Sequence, residues 1–86
     1  MTDKWVLVTG ANGGIGKALV HCFLENDYKV IAVDKLSENP FLEQPEVFHQ
    51  QLDLERIALE SEYTGAFVDT VLQVTNGQGI TSLINN

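Results

Sequence analysis

Residues 4–16 leave this chain few ways to fold. A short apolar run, Trp5-Val6-Leu7-Val8, leads into Thr9-Gly10-Ala11-Asn12-Gly13-Gly14-Ile15-Gly16, and an amphipathic stretch follows at once. That order predicts a buried strand, a glycine-rich turn and a helix. Gly10 at the strand exit lets the chain reverse sharply, including through φ > 0, where a Cβ would clash. The turn glycines let the backbone approach an anion closely, and Gly16, inside the first helical turn, lets helix and strand pack tightly. The first N–H groups of the helix then point outward unpaired, and the macrodipole adds roughly half a positive charge there. A pyrophosphate is the anion such a turn holds best.

The rest of the chain repeats the alternation. Lys4–Thr9, apolar without interruption from Trp5 to Val8, has the pattern of a parallel strand buried on both faces. The helix is expected over about Gly14–Glu25, with Ile15, Ala18, Leu19, Cys22 and Phe23 on its buried face. Cys22 is then a small core residue. Asn26-Asp27 stops the helix, Asn being tolerant of the left-handed C′ conformation. Lys29–Asp34 is a second strand ending in a carboxylate. Lys35–Glu46 holds Pro40 and Pro45, which exclude a regular crossover helix, and reads as a loop with one short turn around Phe41-Leu42. Val47–Leu52 is a weaker strand that delivers Asp53. Glu55–Thr75 reads as one helix with Phe67, Val71 and Val74 on a stripe and Val68 and Leu72 beside it; Asn76-Gly77 closes it. Ile80–Ile84 is a fourth strand. Right-handed crossovers turn this pattern into an α/β chain: a parallel sheet of order 3-2-1-4 with helices on both faces, the first half of a doubly wound (Rossmann) fold. A ligand belongs at the strand C-termini beside the switch point, where Gly10, Asp34, Asp53 and Asn85 all fall.

Composition bounds the partners. At 86 residues the chain makes one small domain, 1–86, breaking off after the fourth strand. Its net charge of −7, from 12 acidic against 5 basic residues, argues against nucleic acid or an anionic membrane. An anionic ligand must therefore be held by local backbone dipoles. Cys22 is the only cysteine, which rules out an intramolecular disulfide and predicts a reducing cytoplasm. Met1-Thr2-Asp3-Lys4 lacks the basic start and long apolar core of a leader, and no apolar run approaches the ~20 residues of a membrane span. His21 and His49 stand apart from any Cys or carboxylate cluster, so no metal site is expected and both read as ordinary surface or packing residues. Gly16-Lys17 does not belong to a triphosphate-binding loop, because Ala11 and Ala18 stand where that motif needs a glycine and a hydroxyl.

Asp34 follows Gly10 by 24 positions, about the distance at which the dinucleotide motif places an acid that accepts from the adenosine ribose. Such a charge-assisted bond is worth about 1.5–3 kcal/mol. The same carboxylate repels a 2′-phosphate, which favours NAD over NADP, while the adjacent Lys35 keeps NADP open. The plainer alternative is a solvated aspartate at a strand end. Asp53 likewise has two readings: an N-cap for the following helix, or a ligand contact.

The arrangement Thr9-Gly10-x-x-x-Gly14-Ile15-Gly16 resembles the fingerprint of the short-chain dehydrogenase/reductase family, and the resemblance extends over essentially the whole chain, as that family's cofactor-binding half. It implies that Gly10, Asn12, Gly14, Ile15 and Gly16 line a pyrophosphate, that Asp34 binds the adenosine ribose, and that Asp53-Leu54 contacts the adenine. Asn85-Asn86 resembles the start of the family's Asn-Asn-Ala-Gly element, which borders the cofactor. The family transfers hydride between nicotinamide and an alcohol or carbonyl carbon, using a Ser and a Tyr-x-x-x-Lys pair. Here Tyr28 is followed directly by Lys29, and Tyr63 has Phe67 four residues on. The chain alone is therefore expected to bind the cofactor without turning over substrate. Two alternatives remain open at this point: a non-catalytic fragment that self-associates through an open sheet edge or uncovered face, and an S-adenosylmethionine-binding fold, whose glycine loop usually lacks this arrangement.

Overall fold

In the computed structural model, which describes residues 3–86, the apolar runs form strands β1 (Lys4–Thr9), β2 (Tyr28–Asp34), β3 (Val47–Gln51) and β4 (Ser82–Ile84). Met1 and Thr2, part of the stretch read as lacking a leader, lie outside the described residues. The helices are α1 (Gly14–Glu25), α2 (Leu54–Leu59) and α3 (Ser61–Val74). All strands pair in parallel in the order β3-β2-β1-β4, as expected. No helix of the described residues is long and apolar enough to cross a membrane.

The uninterrupted apolar run explains how one sheet serves two cores. Alternate residues point to opposite faces. Val6, Val8, Val30 and Ala32 pack with Val20 of α1 and with Phe41, while Trp5, Leu7, Ile31 and Val33 pack with Leu52 and the α2–α3 side. Most of these are fully buried, and each large one contributes about 1.5–3 kcal/mol. The two central strands therefore carry the stability, and the strand ends are free to serve a site.

Several local expectations shift. The buried face of α1 is Gly16, Leu19, Val20, Phe23 and Leu24, one position on from the expected stripe. Ile15 is 71% exposed and Cys22 is also exposed, so neither is a core residue. Gly16 decides the rotation. A Cβ there would stand 2.1 Å from the Gly10 carbonyl oxygen and 2.7 Å from the Ala11 Cα, so only a glycine can face the Gly10–Ala11 turn at this distance. At the end of α1 the left-handed residue is Asp27 (φ +64°) and not Asn26, whose side-chain amide instead donates to the Cys22 carbonyl.

The expected single helix over 55–75 is two. Glu60 is extended (φ −124°, ψ 104°); its N–H closes α2 on the Arg56 carbonyl, and its own carbonyl accepts from the Thr64 N–H at the start of α3. The Thr64 hydroxyl spans the break, donating to the Ile57 and Glu60 carbonyls. On an unbroken helix Ile57 would lie about 120° around from Tyr63; the break brings both onto the same core as Phe67, Val71 and Val74. Asn76 and Gly77 close α3 with positive φ, as expected. β3 stops at Gln51 and β4 begins only at Ser82, although the Thr81 N–H already bonds the Trp5 carbonyl. The loop turns at Phe41, as read, and Phe41 itself is buried beneath α1 and β3.

Candidate functional site

The glycine turn has the shape its sequence requires. Gly10 takes φ +61°, Gly13 N–H returns to the Gly10 carbonyl, and Lys17 N–H is the first to find a helical carbonyl, that of Gly13. The N–H groups of Gly14, Ile15 and Gly16 precede it and have no intrahelical acceptor. Gly13, at the N-cap, supplies no side-chain cap, and no acid occupies the first turn. A Cβ added at Gly14 would meet nothing within 4 Å. The helix start is thus uncapped and open.

Asp34, at the end of β2, faces this turn. One carboxylate oxygen accepts the Asn12 N–H (2.9 Å) and the other the Leu36 N–H (2.9 Å). Each oxygen keeps a further lone pair, which suits a pair of adjacent hydroxyls. Asn12 is committed within the protein: besides its N–H to Asp34, its side-chain amide donates to the Glu38 carbonyl (2.8 Å), and its Oδ1 lies 2.9 Å from Nε2 of His49. Burial holds the His49 imidazole below its ordinary pKa, against an upward pull from the Asp34 carboxylate.

Between these elements lies an open crevice of about 250 Å³, bordered by Gly10, Asp34, Lys35, Asp53, Leu54 and Asn86 among others. Gly10, Asp34, Asp53 and Leu54 therefore come together as the sequence suggested. Gly14, Ile15 and Gly16 form the adjoining helix start, and Asn12 lies behind the turn. Asp53 adopts the N-cap role, its Oδ1 accepting the Glu55 N–H (3.0 Å), while its own N–H donates to the Tyr63 hydroxyl (2.9 Å). Asn86, rather than Asn85, reaches the crevice: its amide donates to the Gly10 carbonyl (3.2 Å) and its N–H to the Thr9 hydroxyl (3.0 Å). Asn85 instead accepts from the Thr9 hydroxyl. His49 and Tyr63, which secure Asn12 and Asp53, were missed by sequence reasoning, since no local period links them to the site. Among the described residues no group of three or more His, Cys, Asp or Glu could hold a metal ion.

This geometry has counterparts. The model of the NAD dependent epimerase/dehydratase family matches residues 6–82. No curated protein matches the sequence. Among solved structures, the short-chain dehydrogenase of Leptospira borgpetersenii serovar Hardjo-bovis with bound NAD+ is 29% identical, with a TM-score of 0.71 over 99% of this chain and 31% of that one. ElxO with NADP bound is 26% identical, with a TM-score of 0.75 over 99% of this chain and 35% of that one. The ligand-free aldohexose dehydrogenase of Thermoplasma acidophilum is 28% identical, with a TM-score of 0.71 over 99% of this chain and 29% of that one. The chain spans about a third of the length of these structures.

Proposed function

This chain belongs to the NAD dependent epimerase/dehydratase family and has the fold of the short-chain dehydrogenases, and on that premise we propose that it is the NAD(H)-binding portion of an oxidoreductase. One observation carries the reading: Asp34 borders the same crevice as the Gly10 turn, beside a helix start with neither cap nor acid. In this reading the N–H groups of Gly14, Ile15 and Gly16 hold the pyrophosphate, with Gly10 and Asn12 shaping the turn. Asp34 accepts from the adenosine ribose, Asp53 and Leu54 border the adenine, and Asn85, just after β4, borders the cofactor. NAD is preferred, because Asp34, Asp53 and Glu55 around the crevice oppose a 2′-phosphate and Lys35 offsets them only in part.

Calorimetric titration with NADH tests this. Saturable binding is expected, weakened about ten- to hundredfold by Asp34→Ala, the equivalent of one charge-assisted bond. Gly14→Val should abolish binding while the protein still folds, since the added side chain projects into open space where the ligand would lie. No heat and no melting shift at millimolar NADH would end the reading.

The cofactor, when bound, supplies the hydride; the Ser and Tyr-x-x-x-Lys that handle the proton in short-chain dehydrogenases have no counterpart in residues 1–86. This chain alone therefore binds without turnover, in a cytoplasmic setting consistent with its lone cysteine. A second reading, self-association, is favoured by β4, which among the described residues pairs only with β1, and by its exposed Leu83.

A further inference from the structure

His49 lies outside the glycine fingerprint, yet two hydrogen bonds in series join its ring to the acid of the crevice. The orientation of the first bond follows from its surroundings. The Asn12 amide nitrogen lies 2.8 Å from the Glu38 carbonyl, which can only accept. The amide oxygen must then be the atom facing His49 Nε2, and because that oxygen also only accepts, the ring nitrogen must donate. His49 is therefore in the Nε2–H form. Its backbone is fixed by the pairing of β3 with Ala32 of β2, and its ring lies beside Phe41, with ring centroids 6.4 Å apart. Asn12 thus ties the irregular turn to three separate segments: the end of β2, the loop at Glu38, and β3. Without the ring donor, the Asn12 side chain keeps only the Glu38 anchor, and the N–H that orients Asp34 loses its support.

We propose that His49 is a positioning residue of the dinucleotide site: its Nε2–H holds Asn12, and through Asn12 both the glycine-rich turn and the Asp34 carboxylate. The inference rests on the NAD(H) reading above and extends it to a residue that touches no part of the ligand. His49→Phe keeps the ring packing on Phe41 and removes the donor; His49→Gln restores an N–H at about the same reach. His49→Phe should weaken NADH binding about three- to tenfold, the range of one neutral hydrogen bond. His49→Gln should recover affinity to within about twofold, and in an Asn12→Ala background His49→Phe should change nothing further. Nitrogen-15 spectra of the wild-type ring at pH 7 should show the proton on Nε2, a readout independent of ligand and of variant folding. The proposal is overturned if His49→Phe binds NADH like wild type, if His49→Gln binds no better than His49→Phe, or if the proton sits on Nδ1. Wild-type protein that binds no NADH would instead sink the cofactor reading, and the spectra would still decide the His49–Asn12 link.

Discussion

Gly16 and Gly14 sit two residues apart and answer differently to an added methyl group. A Cβ at Gly16 would overlap the Gly10 carbonyl, whereas one at Gly14 enters open space. Gly16→Ala is expected to cost about 1–3 kcal/mol or more in a urea melt, as an overpacked contact does. Gly14→Ala should leave the midpoint almost unmoved. Asp27, the non-glycine residue at φ +64°, offers the reverse case: Asp27→Gly should stabilise by about 0.5–1 kcal/mol by relieving the left-handed strain. His49 adds a pH dependence. Its folded pKa is lowered by burial, so as pH falls the unfolded imidazole, with a value of about 6.5, takes up a proton first. Stability should decline from about pH 6.5 downward and level off below the folded value, and subtracting the His49→Gln curve should isolate that component. Asp34 was legible because a fixed distance along the chain places it at a strand end. The His49–Asn12 link was not, because it depends on the β2–β3 register and on the path of an irregular loop.

At the scale of elements, the sequence contains two overlapping apolar stripes in α1, one through Ile15, Ala18 and Cys22 and one through Gly16, Val20 and Leu24. Hydrophobicity alone does not choose between them. Close packing on the Gly10–Ala11 turn does, since the surface that contains Gly16 can approach nearest, and the buried stripe must include it. The break at Glu60 was equally hidden: no glycine or proline marks it, and its support comes from the Thr64 hydroxyl and from the demand that Ile57 and Tyr63 share a core. Strand order and parallel pairing were legible because long apolar runs survive small errors of register. Tyr63 joins α3 to the crevice by receiving the Asp53 N–H. Tyr63→Phe leaves that donor without its partner and should cost about 1 kcal/mol in equilibrium unfolding. The same variant should weaken NADH binding modestly, by loosening the Asp53–Leu54 border.

At the scale of the whole molecule, the unequal edges of the sheet matter. β4 is short, pairs among the described residues on one side only, and presents Leu83 at 59% exposure. If this edge drives self-association, light scattering should show a mass that rises with concentration, and Leu83→Lys should return it to that of a single chain; a constant single-chain mass for wild type would remove the second reading. The wall of the crevice that follows β4 has a kinetic consequence. The bond between the Asn86 N–H and the Thr9 hydroxyl joins positions 77 apart, while β1 meets β2 across a much shorter span. Closing so long a loop is entropically costly and tends to come late on the folding route. During refolding, far-ultraviolet ellipticity, dominated by the helices, should therefore recover before the polypeptide can capture NADH, and the delay between the two signals would time the arrival of the last strand.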